Sequence, residues 1–377
     1  MTQNKDTSVF YLEKTFSQSS SDVAHLLKYL YYHKIRYDGK HWYYFTNHRW
    51  IITDEDQCPL VGLMRNDLVN RYLSLATEYN FQVQQKNNQV TQYQDENPAE
   101  MPEYLPLIIT DLIYKSKLCS EMSLKLTSDS YYQKVVASAQ GLFTQKNFLQ
   151  TVDQNPHLLG FNNGVYDLKT GRLEPARHDH KVLMSVGYEY KDETDHHKEV
   201  IALFEKMNLM DFLPILASLL WGNRRQPIVW VSNLTENSMY ALSQLIHWTM
   251  GDYQGNLSFS LLRKRKIPSG QNHTHSELID NCKRRIVIVE QHPEDFPNVF
   301  PPMVETLLCA RKLSLRRPHQ TSYEYTPQFG MVILSRKSDT EPLKGSMQFI
   351  AKDINEVVVK EAWRQDFIKI LLNYLTP

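Results

Sequence analysis

Apolar residues are spaced in two different ways along this chain, and the two spacings predict two kinds of structure. In the C-terminal half, residues 228–232, 285–290 and 329–334 form runs nearly continuous in Val, Ile and Met. Short runs without alternation, separated by helical patterns, predict strands buried on both faces of a parallel sheet. After the first run, Leu242, Leu245, Ile246 and Met250 recur at helical spacing, so residues 229–253 read as strand, short polar turn and helix. This half is therefore predicted to be α/β.

The N-terminal half is predicted to be mostly helical. Its first ~20 residues are rich in Ser and Gln and are expected to be disordered. SDVAHLLKYLYYHKI then predicts a helix with Ser21 or Asp22 as N-cap and Leu26, Leu27, Leu30 and Tyr31 along one face. A turn at Gly39 between aromatic, β-prone runs predicts a small hairpin or meander over residues 35–55. Its Trp42, Tyr44 and Trp50 either fill a small core or stack on bases. Residues 63–79 continue as helix, 81–100 read as a polar linker or exposed loop, and 102–148 are helical again. Asn162-Asn163-Gly164 and Lys169-Thr170-Gly171 mark hairpin turns because Asn and Gly tolerate positive φ, and strands 164–168 and 172–175 should pair across the second.

Composition narrows the classes. At 377 residues and 44.3 kDa the chain has material for two or three domains with their own cores. Hydrophobic residues at 42% and charged residues at 22% fit a soluble globular protein, and no apolar run nears the ~20 residues of a membrane span. No membrane partner is expected. The N-terminus lacks the basic-then-apolar layout of a secretory signal, which predicts a reducing compartment for Cys58, Cys119, Cys282 and Cys309. These have no CxxC or His-linked spacing, so core thiols are expected, neither disulfides nor zinc ligands. His178-Asp179-His180 lacks a third ligand at sensible spacing, and no metal site is expected there. Lys plus Arg and Asp plus Glu both number 42, which excludes a global electrostatic case for nucleic acid. Cations nevertheless cluster at Arg263, Lys264, Arg265 and Lys266, at Lys283-Arg284-Arg285, and at Arg311-Lys312 and Arg316-Arg317.

The string NPHLLGFNNGVYDLKTGRL, residues 155–173, has WYYFTNHRW upstream and PILASLLWGN and GDY downstream. With these it resembles the poxvirus-type primase-helicases of nucleocytoplasmic large DNA viruses and their phage and plasmid cousins. The resemblance runs from Asp22 to the C-terminus. It implies an α+β region, mostly helical with small β hairpins, then an α/β domain with a parallel sheet of the AAA+-like superfamily 3 helicase type. The expected division is a disordered tail over 1–21, the family's middle domain over 22–190, a linker over 191–205 containing KDETDHHKE, and the helicase-type domain over 206–377. The family's primase domain and its C-terminal extension are expected to be missing.

The resemblance also places a nucleotide site. The phosphate-loop pattern GxxxxGK[ST] falls on residues 233–240: Asn233 stands for the first glycine, Ser238 for the second, Met239 for the lysine and Tyr240 for the Ser/Thr, with Asn237 just before. Side chains at Asn233 and Ser238 restrict the close approach of backbone N–H groups to phosphate. Met239 brings no charge, and Tyr240 offers a phenol where a short hydroxyl binds Mg²⁺. The family's water-activating acid falls at Gln291 or His292, beside Glu290, and an amide is no general base. The polar residue after the third strand falls at Arg336, the Gly-Gly-Asp before the DNA-contacting hairpin at Cys309-Ala310-Arg311, and the region of the arginine acting on a neighbour's ATP at SMQF, residues 346–349. No cofactor is expected.

Three readings follow. The leading one is a catalytically inactive helicase-like protein of a large DNA virus, acting by DNA binding through Arg263, Lys264, Arg265, Lys266, Arg316, Arg317 and His319, and by assembly as a homo-oligomeric ring or beside an active helicase paralogue. The second is a working ATPase with an unorthodox phosphate loop, using Lys264 or Arg336. The third is a structural or virion component that keeps only the fold. An intracellular location in an infected cell, or in the virion, is expected.

Overall fold

The computed structural model describes residues 2–46, 48–53, 58–96, 101–193, 195–222, 228–262, 276–291, 313–315, 323–336, 346–352, 354 and 357–375. The chain divides into two compact units, residues 1–46 with 51–150, and residues 47–50 with 151–377.

The first unit is helical around a small sheet. It opens on α1 (Thr2–Lys14) where disorder was expected. Ser and Gln dominate the count here, but Val9, Leu12 and Phe16 fall at helical spacing and pack on the unit's core, with Leu12 buried. Helix α2 (Ser20–Tyr31) has Ser19, not Ser21 or Asp22, at its N-cap position, without a side-chain capping bond. Asp22 falls in the first turn, where its charge suits the helix dipole. Strands β1 (Ile35–Tyr37), β2 (Trp42–Phe45) and β3 (Trp50–Thr53) form the expected meander. Trp42 and Trp50 are each 1% exposed, which decides for core filling over base stacking.

Helix α3 (Pro59–Gly62) leads through a π-helical turn, Leu63–Leu68, into α4 (Val69–Glu96). The loop expected over 81–100 is thus helix as far as Glu96. The stretch from Leu63 to Glu96 has no Gly or Pro, its Gln, Lys and Glu residues favour helix, and α4 lies against α5 (Tyr104–Lys125). Helices α6 (Asp129–Phe143) and α7 (Phe148–Thr151) follow.

The second unit opens on the antiparallel sheet β4 (Leu158–Phe161), β5 (Gly164–Asp167) and β6 (Arg172–Glu174), the last two paired as expected. Gly171 has φ +65°, but the Asn162-Asn163 turn has no positive φ. Asn163 instead exchanges two hydrogen bonds with the backbone of Tyr190, at 2.9 Å each, and Asn162 Nδ2 donates to Gly187 O at 3.0 Å. These asparagines serve as backbone mimics.

The expected linker over 191–205 is largely α8 (His197–Lys206), whose buried Val200, Leu203 and Phe204 give it an apolar face the charged flanks conceal. The compact units part at 150. After α9 (Phe212–Ser218) come β7 (Ile228–Ser232), α10 (Glu236–Met250), β8 (Gln254–Asn256), α11 (Ser276–Asn281), β9 (Ile286–Gln291), the antiparallel pair β10 (Leu313–Leu315) and β11 (Tyr323–Tyr325), β12 (Gly330–Ser335), β13 (Met347–Ile350) and α12 (Arg364–Asn373).

β7, β8, β9, β12 and β13 form one parallel sheet in the order β13-β7-β12-β9-β8. The three apolar runs are its central strands. Val229, Val231, Ile286, Ile288, Val332 and Leu334 face one core with α10 and α12, while Trp230, Val287, Val289, Met331 and Ile333 face another with α11. Burial on both faces is why these strands do not alternate. Each such side chain contributes about 1.5–3 kcal/mol. No helix among the described residues is long and apolar enough to cross a membrane. Cys58, Cys119 and Cys282 are free and buried, and Cys309 lies outside the described residues.

Candidate functional site

The residues aligned with a nucleotide site meet at the carboxyl ends of β7, β12 and β9. Strand register puts Val231 beside Leu334, Leu334 beside Glu290, and Ser335 beside Gln291. Such ends are where open α/β sheets bind ligands.

The turn from β7 into α10 is only residues 233–235. Asn233 keeps a left-handed backbone, φ +63°, which Asn tolerates. Its N–H donates to Arg336 O at 2.8 Å, and its Nδ2 to Ala351 O at 2.8 Å. Leu234 N–H donates to Ser335 O at 3.2 Å. Thr235 caps the helix: its Oγ1 accepts from Ser238 N–H at 3.1 Å, while Met239 N–H already makes the first helical bond, to Thr235 O at 2.9 Å.

A phosphate loop works because successive N–H groups converge on the anion before the helix begins. In residues 233–240, Asn233, Leu234, Ser238 and Met239 already donate within the protein. Ser238 is 1% exposed and its hydroxyl donates to Ile354 O at 3.4 Å. Met239 is 3% exposed and belongs to the core with Leu242 and Leu245. Asn237 and Tyr240 are exposed. The helix has taken in the positions that would form the loop.

The acid position is split by strand parity. Gln291 shares the face of Val287 and Val289, away from α10, and is 2% exposed, with neither Nε2 nor Oε1 bonded among the described residues. Glu290 shares the face of Ile286 and Ile288, towards α10, and is half-buried. Arg336 Nη2 lies 3.0 Å from Glu236 Oε1, at the first residue of α10. The SMQF segment is mostly strand β13, with Phe349 against Phe212 at 5.6 Å between ring centroids, and it carries no cation. Arg263, Lys264, Arg265, Lys266, Arg316, Arg317 and His319, together with His292 and Cys309-Ala310-Arg311, lie outside the described residues; β10 and β11, which flank 316–322, pair antiparallel as the hairpin reading expects. Among the described residues no group of three or more His, Cys, Asp or Glu could hold a metal.

A second polar centre was not foreseen. Asp153 and Arg285 are 6% and 1% exposed. Asp153 Oδ1 accepts the N–H of Leu183 at 2.8 Å and of Met184 at 3.2 Å. Lys283 Nζ donates to Val152 O at 2.8 Å. Arg285 Nη1 donates to Gln328 Oε1 and to Lys283 O at 3.0 Å, and Gln328 Nε2 donates to Asp153 O at 2.9 Å. Burial raises the Asp153 carboxyl against the pull of the Leu183 N–H and Lys283, and lowers the Arg285 guanidinium and the Lys283 amine. The network binds residues 152–155, just before β4, to the amino ends of β9 and β12. The one signal in the sequence was Arg285, a cation at the head of an apolar run.

The chain is thus an α+β region followed by an α/β unit whose five-stranded parallel sheet orders its strands 5-1-4-3-2 by position in the chain. Residues 24–207 match the family described as D5 N terminal like, and the chain is a relative of the D5-like viral primase-helicases. It is 23% identical over 308 residues to a protein of Acanthamoeba polyphaga mimivirus described as a helicase, covering 79% of this chain and 30% of the relative. It is 29% identical over 153 residues to a protein of African swine fever virus, from a Malawi tick isolate, described as a primase, covering 37% of this chain and 16% of the relative. The chain thus spans under a third of the length of either. Among solved structures, the apo A form of the NrS-1 C-terminal region aligns at TM-score 0.36 and 12% identity over 52% of this chain and 49% of that one, too low to add to the strand order.

Proposed function

We propose that this protein serves viral DNA replication as a helicase-like subunit that does not hydrolyse nucleotide, acting through nucleic-acid binding and assembly into a ring or beside an active helicase. The observation that carries the reading is the start of α10 at Glu236, with the N–H groups of Asn233, Leu234, Ser238 and Met239 already bonded and Met239 in the core. A triphosphate with its magnesium needs several free donors and a cation at this place.

The test is Mg²⁺-dependent ATP turnover by the purified chain, with and without single-stranded DNA, beside titration with a fluorescent ATP analogue. No turnover above the background of a Glu290→Gln variant is expected. Turnover abolished by Glu290→Gln would overturn the reading in favour of a motor with an unorthodox loop, to which Glu290 on the α10 face and Arg336 beside Glu236 lend support. Salt-dependent DNA binding separates a nucleic-acid role from a purely structural one, because phosphate contacts release counterions.

A further inference from the structure

Of the aromatic residues first considered for base stacking, Trp42 and Trp50 are buried and Tyr44 is partly buried, but others in the first unit are exposed. Along α2, His25, Lys28, Tyr29 and Tyr32 recur at i, i+3, i+4 and i+7, off the face that buries Val23, Ala24, Leu26, Leu27 and Tyr31. Tyr29 is 40% exposed and Tyr32 41%. Tyr29 stacks on Tyr11 with centroids 4.3 Å apart and planes at 22°, and Tyr11 meets the exposed Phe10 edge-on at 5.7 Å. Tyr32 carries the Arg36 guanidinium over its ring at 4.1 Å and the Lys28 amine at 5.5 Å. Arg36 Nε is fixed by Gln145 Oε1 at 2.9 Å, next to the exposed Lys146.

We propose that this face of the first unit, centred on Tyr29 and Tyr32, binds single-stranded nucleic acid by stacking its bases. Exposed rings interleaved with cations are what an unpaired strand requires: the rings take the bases, whatever their sequence, while Lys28, Arg36 and Lys146 neutralise phosphates. The acid closest in sequence to Arg36, Asp38, does not oppose this, because its carboxylate is engaged by the N–H groups of Lys40 and His41 and the hydroxyl of Tyr43. A base-paired duplex hides the faces of its bases, so the surface selects unpaired strands. The inference rests on the reading that the chain handles nucleic acid, and it adds a site distinct from the basic runs at 263–266 and 316–319.

The experiment is fluorescence anisotropy of the full chain with labelled oligothymidylate and with a duplex of equal length. It compares the wild type, Tyr29→Ala with Tyr32→Ala, Tyr32→Phe, Lys28→Gln, and a variant with 263–266 neutralised. The double alanine variant is expected to bind the single strand roughly 5- to 100-fold more weakly for each ring lost, with an unchanged circular dichroism melt, while Tyr32→Phe retains binding. Lys28→Gln should shallow the salt dependence by about 0.7 in log–log slope. Unchanged affinity of the double variant, or a duplex bound as tightly and with the same loss on removing the rings, overturns this inference alone. A wild type that binds neither oligonucleotide overturns the underlying reading as well.

Discussion

The guanidinium of Arg285 lies over the ring of Tyr253, its Cζ 5.5 Å from the centroid, and both residues are 1% exposed. Through this contact and its bonds to Gln328 and Lys283, Arg285 holds the amino end of β9 to the turn that follows α10. Replacing it with Met fills the volume but leaves Gln328 Oε1 without its donor and the Asp153 charge with less compensation. Arg285→Met is expected to cost about 3–5 kcal/mol, read from urea unfolding followed by tryptophan fluorescence. A loss below about 1 kcal/mol would show the network to be dispensable.

Tyr253 tests the same centre from the other side. Its hydroxyl accepts the N–H of Gly160 at 2.8 Å and donates to Met184 O at 3.2 Å. Tyr253→Phe strands a buried donor and a buried acceptor, so a loss of about 1–3 kcal/mol is expected, with faster hydrogen exchange at the Gly160 amide. Gly160→Ala should be at least as harmful, since an added Cβ would lie 2.4 Å from Met184 O and 2.8 Å from a Val182 methyl. Equal exchange at Gly160 in wild type and Tyr253→Phe would contradict this account.

These two residues also mark how far the sequence could be read. The three apolar runs named β7, β9 and β12 because strands buried on both faces leave continuous Val and Ile, a local signature. Asn233, Ser238 and Met239 were placed at the site by the family resemblance, within a strand-turn-helix outline that the apolar spacing predicts. That the helix begins at Glu236 was not legible, because it depends on Thr235 capping Ser238 and on Asn233 reaching Ala351, a partner far along the chain. The parity that turns Gln291 away from α10 and Glu290 towards it needed the strand's first residue, which propensity leaves uncertain by a position or two. α1 and the distal part of α4 were missed for a different reason: polar composition was weighed over the few apolar residues that anchor each helix.

The turn between β1 and β2 should make stability depend on acid pH. Burial alone would raise the Asp38 carboxyl, but the N–H groups of His41 and Lys40, the Tyr43 hydroxyl and the nearby His41 ring hold it below the usual carboxylate value. A carboxyl depressed by folding adds stability above its unfolded pKa, and that contribution is lost as pH falls through the folded value. Asp38→Ala is therefore expected to cost about 1.5–3 kcal/mol at neutral pH. The gap between wild type and variant should close as pH falls from about 5 towards 2. A gap that stayed constant over that range would mean the carboxylate charge contributes nothing to the turn.

Restoring the missing lysine gives the sharpest test of the inactive site. If residues 233–240 were a phosphate loop short of one charge, Met239→Lys would gain nucleotide affinity. The position is instead 3% exposed in the core shared by Leu242, Leu245 and Val231, one helical turn inside α10, with its N–H on Thr235 O. A lysine there buries an ammonium in an apolar core, while the nearby Glu236 is exposed and paired with Arg336. Met239→Lys is accordingly expected to destabilise the second unit by several kcal/mol and to leave ATP turnover and analogue binding at background. A variant that melted like the wild type and bound the ATP analogue with Mg²⁺ would show that the turn can open, and the start of α10 at Glu236 would then describe a closed form of a working site.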